Sequence, residues 1–128
     1  MAEIPDDLRF TRDHEWVRLG EDGVARVGVT AHATEQMGDI VYVSLPTVGA
    51  QVAPGDSCAE LESTKSVSDV FAPVGGIIAA VNDGLADAPE SINAEPYGQG
   101  WLFEIEVGAD QAGIDALLDA ASYRASLD

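Results

Sequence analysis

Short segments that alternate apolar and polar residues, separated by turns containing glycine or proline, most constrain how this chain can fold. Alternation with a period of two is typical of half-buried β-strands, whereas amphipathic helices repeat about every 3.6 residues. Many short strands joined by such turns predict a mainly β fold, a sandwich or flattened barrel. The predicted strands are residues 16–19, 24–29, 39–45, 57–61, 68–71, 76–81 and 101–107.

The turns and helices follow from local chemistry. Asp22-Gly23 is a strong hairpin signal between the first two strands, and Pro54-Gly55-Asp56 predicts a further turn. Thr30 predicts the N-cap of a short helix that runs through Met37 and ends at Gly38. We expect a second helix over residues 110–122, opened by Asp110. Its apolar stripe consists of Ile114, Leu117, Leu118 and Ala121.

Lys65 is the only lysine of the 128 residues, and it lies in the stretch Glu62-Ser63-Thr64-Lys65-Ser66. The strands on either side predict a hairpin with its tip around residues 62–68. The acidic residues nearby, Glu62 and Asp69, favour the charged amine, so Lys65 is unsuited to be a nucleophile. A projecting amine suits covalent attachment of a group by another enzyme. The alternative is an ordinary solvated lysine.

Similar segments lie on both sides of this hairpin. Residues 48–52 (Val-Gly-Ala-Gln-Val) precede it, and residues 74–78 (Val-Gly-Gly-Ile-Ile) follow it. Two related β units would place Lys65 at a symmetric tip, although the similarity is weak.

The chain carries 23 acidic and 6 basic residues, for a net charge of −17. A surface of this sign repels phosphate groups, which argues against nucleic-acid binding and against adhesion to anionic membranes. It would instead steer the protein towards basic patches on partners. Solubility or salt adaptation is the simpler explanation for most of the charge.

The remaining reactive side chains give weak signals. Cys58 is the only cysteine, so no internal disulfide can form, and its position within a strand indicates an apolar filler. His14 and His32 are 18 positions apart without a further ligand at metal-binding spacing. Because no basic and apolar leader is visible at the start, we expect a cytoplasmic protein or a mature protein from which a targeting segment has been removed.

Four segments in register resemble one family. They are residues 62–69 around Lys65, His14-Glu15-Trp16-Val17, Gly38-Asp39-Ile40-Val41 with Leu45-Pro46, and Pro96-Tyr97-Gly98-Gln99-Gly100-Trp101. Together they resemble the glycine cleavage system H protein family over residues 8–123. Biotin carriers place methionine beside their lysine, whereas Thr64 stands here. Thr64 and Ser66 depart from the valine and alanine usual in the family, and both changes are small.

The resemblance implies a single lipoyl-carrier domain over residues 1–128, a sandwich in the lipoyl/biotinyl style with short peripheral helices. Lys65 would carry lipoate in amide linkage, attached by a lipoate ligase or a lipoyl/octanoyl transferase. The implied role is a non-catalytic, monomeric shuttle. It would take an aminomethyl group from glycine decarboxylase (P protein) to the tetrahydrofolate-dependent aminomethyltransferase (T protein) and be reoxidised by dihydrolipoamide dehydrogenase (L protein). The alternative is a relay that donates lipoate to other carriers.

The same resemblance places Glu15 near a surface cleft that receives the loaded arm, with Asp13 and Asp69 as neighbours. A carboxylate there could hydrogen-bond a protonated aminomethyl nitrogen. The alternative is that Glu15 is an exposed strand residue whose neighbour, Trp16, is buried on the other face.

Overall fold

The computed structural model describes residues 4–20, 22–107 and 112–127. The strands are β1 (Arg9–Phe10), β2 (Glu15–Leu19), β3 (Val24–Val29), β4 (Ile40–Ser44), β5 (Gln51–Val52), β6 (Ser57–Ser63), β7 (Val67–Phe71), β8 (Gly76–Val81) and β9 (Phe103–Glu106). The helices are α1 (Ala31–Met37), α2 (Ser91–Ala94), α3 (Ala112–Asp115) and α4 (Ala120–Ser126), with a 3₁₀-helix at Asp83–Ala86.

The strands form two antiparallel sheets. One has six strands in the order β1-β2-β3-β9-β8-β5, and the other has three in the order β4-β6-β7. Inward-facing side chains of both sheets, such as Val27, Ile105, Leu61 and Val70, form the main core. Each sheet remains open at its edges, so the predicted mainly β fold is confirmed as a sandwich and not as a closed barrel.

Several predicted elements are confirmed with small shifts at their ends. The structure has strands at the predicted residues 24–29 and 76–81, and Thr30 caps α1 by accepting a hydrogen bond from the Ala33 N–H at 3.2 Å. The last strand was predicted to begin at Trp101, which is wrong, because β9 begins only at Phe103. Half-buried Trp101 packs against a second cluster of buried residues, and the Arg26 guanidinium lies over the Trp101 ring, 4.4 Å from its centroid.

The two similar segments that flank the lysine hairpin pair with each other. Gln51 lies opposite Ile77 and Val52 opposite Gly76 in the β5–β8 ladder. Beyond it, the Gly49 N–H donates to the Ile78 carbonyl at 2.8 Å. This pairing joins the chain just before the hairpin to the chain just after it, so the hairpin projects from a closed base.

The prediction of one continuous C-terminal helix is wrong. Asp110 lies outside the described residues, and within them the helix is divided into α3 and α4. Between the two, Leu118 forms a β-bridge with Phe10, with N–H···O distances of 2.8 and 2.9 Å. Asp119 then caps α4 by accepting from the Ser122 N–H at 2.8 Å. The bridge draws the backbone out of helical geometry, and Ala121 is exposed instead of buried.

Tyr123 on α4 anchors a second core outside the six-stranded sheet. Its ring is fully buried and stacks on Phe10 with centroids 4.7 Å apart. Its hydroxyl lies 2.9 Å from Thr30 Oγ1 and 2.8 Å from His14 Nδ1. One phenol therefore joins α4 to the cap of α1 and to the residue that precedes β2.

We expect Tyr123→Phe to lower the free energy of unfolding by about 1–3 kcal/mol, because it leaves buried polar groups without their partner while the stacking on Phe10 is retained. Urea unfolding measures the change. Tyr42→Phe is the matched control, since Tyr42 is 59% exposed on β4. Equal, small effects of the two substitutions would contradict the structural role of the hydroxyl.

Candidate functional site

Lys65 lies at the tip of the β6–β7 hairpin, as predicted, and its side chain is exposed. Both strands are longer than expected, so the turn is tight. The buried hydroxyl of Ser63 closes it by accepting hydrogen bonds from the backbone N–H groups of Lys65 at 3.3 Å and Ser66 at 3.1 Å. The Ser63 N–H donates to the Ser66 carbonyl at 2.8 Å. These bonds hold the lysine in a fixed position at the end of a rigid hairpin.

A cleft of about 140 Å³ lies beside the hairpin, between β7, α1 and the residues around the start of β2. Its polar lining includes Asp13, Glu15 and Asp69, so the three residues suggested by the sequence come together at one site. Asp69 is four residues from Lys65, about 13 Å along an extended strand. The apolar part of the lining consists of Val29, Ala33, Met37, Leu61 and Val70.

Glu15 is 1% exposed, so the alternative of an exposed strand residue is wrong. Its Oε2 accepts a hydrogen bond from the Phe71 N–H at 2.9 Å, and its Oε1 accepts one from the Thr11 hydroxyl at 2.9 Å. The first bond crosses from the six-stranded sheet to β7 in the three-stranded sheet. Glu15 therefore connects the two sheets and also forms part of the cleft lining.

Burial raises the pKa of Glu15 from its ordinary value of 4.5 to about 7. The hydrogen bonds from Phe71 and Thr11 oppose this shift, and the nearby charge of Asp13 adds to it. At neutral pH the carboxyl group is thus close to half-ionised. A cation that entered the cleft would favour its charged form.

His14 also lines the cleft, which the sequence did not indicate. Its backbone has a φ of 70°, and its ring lies 4.7 Å from that of His32, although the two are 18 positions apart. Burial and the neighbouring His32 lower the pKa of His14, and Asp13 opposes this. Within the described residues, neither this histidine pair nor any other side chains form a cluster of three or more His, Cys, Asp or Glu residues that could hold a metal ion.

Two further side chains complete the description of the site. Gln36 lies in the cleft lining one residue before Met37. Cys58 packs against the core from β6, and burial raises the pKa of its thiol to about 11. A thiol with this pKa is unreactive at neutral pH, which agrees with the predicted filler role.

An open sandwich that presents one lysine at a hairpin tip is the architecture of lipoyl- and biotinyl-type carrier domains. The sequence model "Glycine cleavage H-protein" matches residues 8–128 of the chain. The glycine cleavage system H protein of Cronobacter sakazakii is 52% identical over 128 residues, which cover 100% of this chain and 98% of the relative. The corresponding protein of Escherichia coli O6:H1 is 50% identical with the same coverage.

A solved structure agrees with these sequence matches. The crystal structure of a glycine cleavage system H protein from Mycobacterium marinum superimposes with a TM-score of 0.88 at 43% identity, covering 97% of this chain and 98% of that one. The chain therefore belongs to the glycine cleavage system H protein family. Across the described ranges, no helix has the length and apolar character needed to cross a membrane.

The shifted pKa of Glu15 predicts a pH-dependent stability. Between about pH 4.5 and 7 the unfolded chain has released this proton while the folded protein retains it, so stability falls as the pH rises through this range. The total loss is at most about 3 kcal/mol, from about 1.4 kcal/mol per pKa unit. We expect Glu15→Gln to lack this slope, because its amide oxygen still accepts from Phe71 but carries no charge.

Urea unfolding of both proteins at about pH 5 and about pH 7.5 measures this difference. The other acidic residues are common to the two proteins, so their titration cancels in the comparison. Identical pH slopes in the wild type and the variant would show that Glu15 ionises normally in the folded protein.

Proposed function

We propose that this protein is a lipoyl carrier of the glycine cleavage system, with lipoate attached to Lys65 through an amide bond. The observation that carries the proposal is the position of the only lysine. Lys65 is exposed at a rigid hairpin tip, and a cleft with apolar walls and acidic groups begins within a few residues of it. When bound, the lipoyl group would supply a cyclic disulfide whose S–S bond opens on transfer, so that one sulfur takes up the aminomethyl group and the other becomes a thiol.

The residues around Lys65 fit this role. Acylation of the amine removes its charge and lengthens its side chain, and the turn held by Ser63 gives the modifying enzyme a fixed target. The modifying enzyme would be a lipoate ligase or a lipoyl/octanoyl transferase. The apolar residues of the cleft would exclude water from the end of the arm, as a carrier of a hydrolysable group requires.

In the proposed cleft, Glu15 is the residue that would contact the protonated aminomethyl nitrogen. Its two hydrogen bonds to Phe71 and Thr11 fix the carboxyl group, and each of its oxygens keeps a further lone pair. Asp69 is held in turn by the Ser57 hydroxyl, which donates to Oδ1 at 3.1 Å. Asp13 adds negative charge at the same cleft, so the site attracts a cation and repels free anions.

The carrier would serve three enzymes in turn: the P protein that supplies the aminomethyl group, the T protein that removes it, and the L protein that reoxidises the dithiol. Tethering raises the effective concentration of the group at each enzyme without new contacts in the carrier. The carrier itself would be a non-catalytic cytoplasmic monomer. Its net charge of −17 favours brief encounters with basic surfaces of these partners.

We expect the protein purified from its own host to carry one lipoyl group, placed on Lys65 by intact mass and peptide mapping. Lys65→Arg keeps the charge but removes the primary amine, so it should receive no lipoyl group and support no glycine–bicarbonate exchange. Because the chain has no second lysine, a lipoyl group on the Lys65→Arg variant could not be explained by attachment to another lysine. An unmodified Lys65 in lipoate-replete cells, and refusal by a lipoate ligase in vitro, would contradict the proposal.

A loaded Glu15→Gln variant should lose methylamine about tenfold faster than the wild type, because one charge-assisted hydrogen bond worth roughly 1.5 kcal/mol is removed. Glu15→Ala is a poorer test, since it also leaves the Phe71 N–H without its acceptor. Glu106→Gln is the matched control, because Glu106 is exposed on β9 of the six-stranded sheet and does not line the cleft. Equal rates in all three proteins would remove Glu15 from contact with the arm.

A further inference from the structure

Gly38 connects the cleft to the lysine hairpin. It follows Met37, which lines the cleft, and precedes β4, where Ile40 pairs with Ser63 of the hairpin. Its N–H donates to the Thr34 carbonyl at 2.9 Å and ends α1. Its backbone angles, φ 82° and ψ −157°, belong to a region that essentially only glycine occupies.

The side chain of Lys65 lies against Gly38. A methyl group built on the Gly38 Cα would be 3.5 Å from Lys65 Cε and 4.0 Å from Nζ, with no other atom within 4 Å. The end of the lysine side chain therefore rests on bare backbone. The group attached to Nζ would begin its course directly above this glycine.

Asn93 of α2 fixes this stretch of backbone from below. Its Nδ2 donates to the Gly38 carbonyl at 2.9 Å, and its Oδ1 accepts from the Ile40 N–H at 2.9 Å. The side-chain amide of Asn93 thus forms hydrogen bonds with the backbone groups of the residues on both sides of Asp39. The position of Gly38 relative to the hairpin is set by a residue 55 positions away in sequence.

We propose that Gly38, held in place by Asn93, is the passage over which the arm on Lys65 enters the cleft, and that Gly38 is a positioning residue because it has no side chain. This inference rests on the proposed lipoyl attachment. A branched side chain at position 38 would occupy the space beside Cε and Nζ and direct the arm to solvent. The competing explanation is that glycine is required only by the backbone conformation.

Gly55 offers a matched control for backbone strain. Its φ is 90°, close to that of Gly38, and a methyl group on its Cα would have no atom within 4 Å. Alanine or valine at Gly55 therefore places a side chain on backbone with a positive φ without obstructing Lys65. An effect found at Gly38 and not at Gly55 is not a general consequence of placing a side chain at a positive φ.

Met37 provides a direct probe of the cleft. The chain has two methionines, Met1 and Met37, so a ¹³C-methyl methionine spectrum contains a single reporter at this site. The quantity measured is the change in the Met37 methyl shift when a given variant is lipoylated and then loaded with the aminomethyl group. Comparing each variant with its own unmodified form removes the direct effect of the substitution on Met37.

We expect the wild type, Gly55→Ala and Gly55→Val to show the same change in shift. Gly38→Ala should show a smaller change, and Gly38→Val should lose most of it and release methylamine as fast as Glu15→Gln does. Asn93→Ala leaves position 38 without a side chain but frees its carbonyl, so it should give an intermediate change. Gly38→Ala and Asn93→Ala decide the question if Gly38→Val does not fold.

The outcomes separate this inference from the proposed function. Failure to lipoylate wild-type Lys65 would refute the carrier function itself. Lipoylated Gly38 and Gly55 variants with equal changes in the Met37 shift would overturn the passage and leave Gly38 with a backbone role alone. No change in the wild type on lipoylation and loading would overturn it as well, because the arm would then remain outside the cleft.

Discussion

The hydrogen bond that the buried carboxyl group of Glu15 accepts from Phe71 is the interaction on which the rest of the site depends. Phe71 lies at the end of β7, so this bond joins the three-stranded sheet to β2 of the six-stranded sheet. This contact positions the base of the lysine hairpin relative to α1 and thereby shapes the cleft between them. The protein accepts the energetic cost of burying an acid here, which is reflected in the pKa of about 7.

Around this tie, uncharged polar contacts and not ion pairs hold the peripheral elements in place. Tyr123 joins α4 to Thr30, and Asn93 joins α2 to the end of α1. Within the described residues only one salt bridge is present, between Arg26 and Glu104 on the outer face of the six-stranded sheet. The large negative charge is therefore mostly uncompensated, and it remains available for long-range attraction of basic partners.

The arrangement separates a rigid platform from a movable arm. Lys65 is fixed at the backbone by Ser63 but free at its amine, and Gly38 and the cleft lie on the side towards which that side chain leans. A carrier needs both properties. If Lys65 carries lipoate as proposed, the modifying enzyme and the partner enzymes would meet a constant hairpin, while the attached group could change position without any rearrangement of the sheets.

The sequence by itself determined the longer strands, the α1 cap and the lysine hairpin, because these depend on local periodicity and turn chemistry. The two-residue strands β1 and β5 were not predicted. Local signals also misled: the apolar spacing of residues 110–122 predicted one helix, although pairing of Leu118 with Phe10 breaks it. The burial of Glu15 was foreseeable, because it lies two residues before the core residue Val17 and so on the same face of β2. The large side chain of Trp16 instead suggested that only the other face of β2 is buried, whereas the two cores bury both faces.

Only the tertiary structure decided the composition of the cleft. Asp13 and Asp69, the neighbouring rings of His14 and His32, and the contact of Lys65 with Gly38 come from elements distant in sequence. Sheet packing and single hydrogen bonds across large sequence separations bring them together, and no local pattern encodes such contacts. The chain thus specifies locally the lysine proposed for attachment, whereas the cleft proposed to receive the attached group exists only in the folded protein.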